Sequence, residues 1–117
     1  MPNPLAHFEL SSNDLDNAKV FYTKLFDWKL EDVPGSYTMI SPGKGIGGGM
    51  MPNPLPNTPS FWLTYIEVSD IVASTKKVAD LGGTVMKDVT EVMGMGRISV
   101  VLDPSGAAFG LWQPNAA

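Results

Sequence analysis

Apolar and polar positions alternate through Leu5-Ala6-His7-Phe8-Glu9-Leu10 and again through Leu63-Thr64-Tyr65-Ile66-Glu67-Val68, a period of two that predicts a strand in each place. Behind each strand the period lengthens. Leu15, Ala18, Tyr22 and Leu25 recur at spacings of three and four, as do Ile71, Ser74, Val78 and Leu81, so each stretch predicts a helix with one apolar stripe. Asn13 is the expected N-cap of the first helix, with Asp14 and Asp16 in its first turn, and Ser69 or Asp70 caps the second. Gly82-Gly83 supplies the C-terminal stop of the second helix, and Asp27 stands at the matching place in the first. Further on, Thr38-Met39-Ile40-Ser41-Pro42-Gly43 matches Val100-Val101-Leu102-Asp103-Pro104-Ser105, and Gly48-Gly49-Met50-Met51-Pro52 matches Gly110-Leu111-Trp112-Gln113-Pro114. Each pair reads as strand, turn, strand.

The chain is therefore a duplication. Its 117 residues suit one domain, with a first module at about 5–52, a Pro-rich linker at about 52–60 and a second module at about 61–114. A strand, a helix and three strands cannot close a core alone, so two such modules are expected to pair about a pseudo-twofold axis around a shared cleft. Hydrophobic residues make up 44% and charged residues 17%, with a formal charge of −4, which describes an ordinary globular domain rather than a disordered one. Eight scattered Lys and Arg in an acidic chain give counterion release little to act on, so nucleic acid is not an expected partner. No run reaches the roughly 20 apolar residues of a membrane span, and Met1-Pro2-Asn3-Pro4-Leu5 has no signal-peptide character, so a cytoplasmic protein without membrane contact is expected.

Three counts restrict the chemistry further: no Cys, one His (His7) and one Arg (Arg97). Thiolate chemistry, Cys-ligated zinc, iron–sulfur clusters and any site needing two histidines of one chain are excluded. The lone His also removes the case for a serine hydrolase, since no Gly-x-Ser-x-Gly elbow accompanies it. Gly43-Lys44-Gly45-Ile46-Gly47-Gly48-Gly49 lacks the spacing of a phosphate loop and leads into no helix, so it reads as a strand connection.

The duplicated pattern, with His7-Phe8-Glu9, Phe21-Tyr22, Leu25-Phe26-Asp27-Trp28, Asp103-Pro104-Ser105-Gly106 and Phe109-Gly110-Leu111-Trp112-Gln113 in that order, resembles the glyoxalase, bleomycin-resistance and extradiol-dioxygenase superfamily. The resemblance covers nearly the whole chain. It implies an α+β fold in which two βαβββ modules form a curved eight-stranded sheet around a cleft, and it implies a homodimer. In metal-dependent members of that superfamily the first and last strands of each module supply the ligands, which carried over are His7, Gly48, Tyr65 and Gly110. Only His7 is a good donor, so no cofactor is expected, although Glu9 and Glu67 could rebuild a divalent site with His7.

Strand alternation places His7, Glu9, Tyr65 and Glu67 on the expected cleft face, and the repeat adds Gly48, Met50, Gly110 and Trp112. Two functions follow. One is a metal-independent protein that binds a small hydrophobic or aromatic molecule through Tyr65, Met50, Trp112, Gly48 and Gly110, with Arg97 of the Met93–Arg97 loop either covering the cleft as a lid or standing exposed beside a hairpin. The other is an enzyme resembling glyoxalase I or a related lyase, isomerase or dioxygenase, in which His7, Glu9 and Glu67 carry the proton chemistry. A dimerisation module derived from such an enzyme is a weaker third. For His7 the sequence leaves its hydrogen-bond partner open among Glu9, Glu67 and Tyr65.

Overall fold

A computed structural model describes residues 2–92 and 94–115. The chain runs β1 (Leu5–Ser12), α1 (Leu15–Leu25), β2 (Lys29–Val33), β3 (Tyr37–Ser41), β4 (Gly48–Pro52), β5 (Phe61–Glu67), α2 (Ile71–Asp80), β6 (Thr84–Val92), β7 (Gly96–Leu102) and β8 (Ala108–Pro114). This is the expected βαβββ order, twice, in an α+β chain. The chain divides into two compact units, His7–Leu63 and Met1–Ala6 with Thr64–Ala117. No helix among the described residues is long and apolar enough to cross a membrane.

In the His7–Leu63 unit the strand order is β2-β3-β4-β1. β1 pairs with β4 in parallel while β2, β3 and β4 run antiparallel, so the helix between β1 and β2 supplies the crossover a parallel pair requires. Gly35 and Ser36, both at positive φ, turn the chain from β2 into β3. One face of these strands carries Phe8, Leu10, Thr38, Ile40 and Met50, and Leu15, Ala18 and Tyr22 of α1 pack against it around a fully buried core of Leu10, Ile40 and Met50. Lys19 of α1 bonds Asp32 of β2 at 2.9 Å, and that contact with the Thr38 hydroxyl holds the Asp32 carboxyl below its ordinary range. No side chain of α1 is itself fully buried.

In the other unit the order is β5-β8-β7-β6, again with one parallel pair, β5 with β8. Here the helix is seated more deeply. Ile71 and Thr75 of α2 are fully buried, and the Thr75 hydroxyl lies 2.8 Å from that of Ser99, which is itself buried on β7. Asp103 Oδ1 accepts bonds from Ser105 N, Ser105 Oγ and Ala107 N, an arrangement that lowers its carboxyl pKa and fixes the turn from β7 to β8, completed by Gly106 at φ +95°.

The helix ends correct two expectations. Asp14, one residue past Asn13, caps α1 by accepting from Asn17 N at 3.2 Å, because the Asn13 side-chain amide donates instead to Thr58 O. Asp70 caps α2 as expected. At the other end α1 stops on Phe26 in extended conformation, and Asp27, at the place matching Gly82-Gly83, does not take a positive φ. Gly82, at φ +90°, does close α2.

Candidate functional site

The face of the His7–Leu63 strands that α1 leaves uncovered is built by alternation. Because β1 and β4 are parallel and Glu9 is paired with Gly49, side chains at His7, Glu9, Gly49 and Met51 share this face. The antiparallel pairing of Met39 with Gly49 adds Tyr37 and Met39 from β3. Over Gly49 lies the Tyr37 side chain, and a Cβ there would fall within the phenol ring and hydroxyl. Glycine at this position is what lets Tyr37 lean across β4 and reach β1.

What Tyr37 reaches is a pair of titratable groups. Its hydroxyl donates to Glu9 Oε2 at 2.8 Å and lies 2.8 Å from His7 Nε2, with the two rings near parallel at 21°. A phenol has a single proton. With that proton on the carboxylate bond, Nε2–H of His7 is the donor to the Tyr37 oxygen, which sets the neutral tautomer of His7. Burial lowers the His7 pKa below its ordinary 6.5, opposed by the nearby Glu9 charge, so the imidazole is neutral at pH 7. The array is a directed chain from imidazole N–H through phenol to carboxylate.

The alternation that placed His7 and Glu9 together on the uncovered face agrees with the structure. Two expectations on this unit do not. Gly48 and Met50 lie on the α1 side: Gly48 pairs with Phe8, a Cβ there would sit 2.7 Å from the Phe8 ring, and Met50 is fully buried with Leu10 and Ile40. Matching Gly48 to Gly110 was a register error of one residue, which transfers every side chain to the opposite face. The residues facing out are Gly49 and Met51. Tyr37, missed in the sequence, was signalled only by the Tyr37, Met39, Ser41 alternation, which does not say that a phenol crosses a neighbouring strand.

In the Thr64–Ala117 stretch, Ser99 and Val101 face α2, and their partners Leu111 and Phe109 do so with them. Tyr65, Glu67, Gly110 and Trp112 therefore share the face away from α2, as expected, with Tyr65 paired to Gly110 and Glu67 to Trp112. Tyr65 is 3% exposed and its ring occupies the space a Cβ on Gly110 would take. Trp112 is half-buried. Arg97 differs from expectation: it lies opposite Gln113 on the α2 side and donates to Gln113 Oε1 at 3.2 Å, the same oxygen that accepts from Ile71 N at the start of α2. It braces that helix instead of forming a lid, and Met93 of the same loop lies outside the described residues.

The superfamily's divalent metal does not fit this donor set. Two carried-over ligand positions are glycines and one is a phenol ring packed on glycine. No group of three His, Asp or Glu side chains able to hold a metal occurs among the described residues, and the Glu9 carboxylate and His7 Nε2 are both engaged by Tyr37.

With fold and site in view, residues 5–111 match the Glyoxalase/Bleomycin resistance protein/Dioxygenase superfamily, and the chain belongs to it. Among curated relatives, a Mycobacterium tuberculosis protein that carries the name glyoxylase CFP32 is 39% identical over 115 residues, covering 92% of this chain and 44% of the relative. The anthracycline biosynthesis protein DauV of Streptomyces sp. strain C5 is 35% identical over 133 residues, covering 96% and 47%. The chain thus spans a little under half the length of either. Among solved structures, a superfamily member from Vibrio splendidus 12B01 aligns with TM-score 0.67 at 15% identity, over 97% of this chain and all of that one. Methylmalonyl-CoA epimerase from Mycobacterium tuberculosis aligns with TM-score 0.66 at 17% identity, over 96% and 88%. These two share the fold.

Proposed function

We propose that this chain is a metal-independent binding domain of the superfamily that takes a small, flat, hydroxylated aromatic molecule against the face carrying His7, Tyr37 and Glu9. The observation that carries the reading is the Tyr37 hydroxyl, seated over Gly49 and held between His7 Nε2 and Glu9 Oε2. Such a chain holds polar atoms in fixed directions without a net positive centre, which suits hydroxyl and keto groups on an apolar framework. Met39 and Met51, half-buried on the same face, supply deformable apolar surface for a ring. The name of the Streptomyces relative supports the same ligand class, since an anthracycline is a polycyclic aromatic bearing hydroxyl and keto groups.

A second reading, an enzyme of the glyoxalase I type or another isomerase or lyase, is favoured by one feature: imidazole, phenol and carboxylate joined by hydrogen bonds form a route along which a proton can move. In that reading His7 and Glu9 exchange the proton and Tyr37 conducts it. Glu67, the third residue expected to carry proton chemistry, lies on the other unit.

Titration with a dihydroxyanthraquinone, followed by quenching of tryptophan emission, tests the first reading. Saturable binding that weakens about tenfold in Tyr37→Phe, equivalent to about 1.4 kcal/mol, is expected. Unchanged affinity in both Tyr37→Phe and His7→Ala would refute it. Proton exchange at a carbon next to a ligand carbonyl, lost in Glu9→Gln, would favour the enzyme instead.

A further inference from the structure

Where α2 meets the edge strand β6, the packing leaves a groove. Ile71 and Thr75 turn inward and are fully buried, whereas Val72, Lys76 and Ala79, at spacings of four and three, form a neighbouring row that faces β6. A cavity of about 390 Å³ lies between that row and Val85, Asp88 and Val89 of the strand. Irregular pairing gives it its charge. β6 slips against β7 twice, between Val85 and Lys87 and again between Lys87 and Thr90. Lys87 and Thr90 pair with Val100 and Ile98, which alternate with Ser99 and so face away from α2. Asp88 and Val89, between them, therefore both fall on the α2 side, where a regular strand would send one. Re-aiming a side chain in this way is what bulges beside binding sites do. Val89 N donates to Asp88 Oδ1 at 2.7 Å, which fixes the carboxylate, and Asp88 Oδ2 takes no bond from the described residues. Lys76 stands on the facing wall without an ion pair to Asp88, so the groove holds one charge of each sign apart. The Thr75 hydroxyl is taken up by Ser99, which leaves these two charges as the side-chain groups a ligand can address.

We propose that this groove binds a small zwitterion with an apolar body, the chemistry of a free aliphatic α-amino acid. Its ammonium group meets Asp88, its carboxylate meets Lys76, and its side chain rests on Val72, Ala79, Val85 and Val89. Size selects a small ligand, since 390 Å³ stands near the lower end of the roughly 300–1,000 Å³ of small-molecule pockets. Charge selects both of its ends. A ligand with one charge gains a charge-assisted hydrogen bond from one wall, whereas a zwitterion gains one from each and brings no net charge into the groove. The apolar body removes water from four apolar side chains, of which Val72 is 52% exposed without it. The site lies within the Thr64–Ala117 stretch and asks for an aliphatic ligand, unlike the array of His7, Tyr37 and Glu9 in the other unit.

Proton–nitrogen correlation NMR of the full chain, titrated with L-leucine to about 20 mM, tests the proposal. Saturable shifts are expected at the amides of Val72, Lys76, Val85 and Asp88, with a dissociation constant below about 1 mM. Leucinamide, which lacks the carboxylate, and N-acetyl-leucine, which lacks the ammonium group, should each bind about tenfold more weakly. Lys76→Met should weaken leucine about tenfold and leave leucinamide unchanged, while Asp88→Asn should weaken leucine as much and leave N-acetyl-leucine unchanged. That matching of variant to analogue is what a merely structural role would not produce. Both side chains are exposed, so both variants should keep the far-UV circular dichroism of the wild type. Should Asp88→Asn disturb β6, Lys76→Met with the two analogues decides the matter alone. Absence of saturation, or leucine shifts confined to His7–Leu63, would overturn the proposal. Equal binding of leucine and both analogues, or unchanged leucine affinity in either folded variant, would overturn it too.

Discussion

Each unit presents a tyrosine ring above a glycine on the face its helix leaves uncovered, yet the two pairs do different work. On β5 and β8, Tyr65 lies directly on its register partner Gly110 and is almost wholly buried. On β3 and β4, Tyr37 lies on Gly49 but continues past it to the imidazole and carboxylate of β1, and it remains half-exposed. The same missing Cβ serves packing in one unit and a polar array in the other. The two pairs do not occupy matching positions of the repeat, since Glu9 pairs with Gly49 where its counterpart Glu67 pairs with Trp112. What recurs is the device, a glycine that gives a ring room to lie across the sheet.

The sharpest way to separate the two roles is to fill both glycines. Gly110→Ala forces a methyl group into the buried Tyr65 ring, which has nowhere to go, and should cost about 2–3 kcal/mol, read as a lower midpoint in urea. Gly49→Ala meets a side chain that can swing outward. It should cost nearer 1 kcal/mol while weakening dihydroxyanthraquinone binding as much as Tyr37→Phe does. Equal stability losses in the two variants would break the contrast.

Next in size is the buried hydroxyl pair of the α2 side. Thr75→Val keeps the shape and leaves the fully buried Ser99 hydroxyl without that partner, at a cost of about 1–2 kcal/mol by denaturant titration. Lys19→Met, which removes the exposed contact from α1 to Asp32, should change stability by less than about 0.5 kcal/mol. The difference reflects how much more firmly α2 is seated than α1.

A smaller effect comes from pH. Burial depresses the pKa of folded His7 below the 6.5 of the unfolded chain. Above pH 6.5 the imidazole is neutral in both states and stability does not depend on it. As pH falls below 6.5 the unfolded chain takes up a proton that the folded one resists, so stability declines until the folded pKa is passed. The slope of unfolding free energy just below pH 6.5 should flatten in His7→Gln, measured against wild type at each pH.

Much of this was legible along the chain. Two-residue alternation gave β1 and β5, and spacings of three and four gave both helices, because in each case the buried face repeats with the geometry of the element. His7 and Glu9 were found by that alternation. Gly48 and Met50 were misplaced because aligning two modules across glycine-rich turns leaves a one-residue ambiguity, and on a strand one residue is the difference between core and surface. Arg97 was misread for a related reason, since composition cannot say which face of β7 it takes. Tyr37 was out of reach: its role depends on the register of three strands and on a glycine between it and its partners.

With one histidine in the chain, long-range proton–nitrogen correlation NMR of the imidazole reports on the site without ambiguity and is the most direct test of the metal-independent array. At pH 7.5 the account predicts a neutral ring protonated at Nε2, shifted on addition of a dihydroxyanthraquinone and unmoved by micromolar zinc, nickel or manganese. A ring protonated at Nδ1, or one whose signals shift or vanish with micromolar metal, would contradict it.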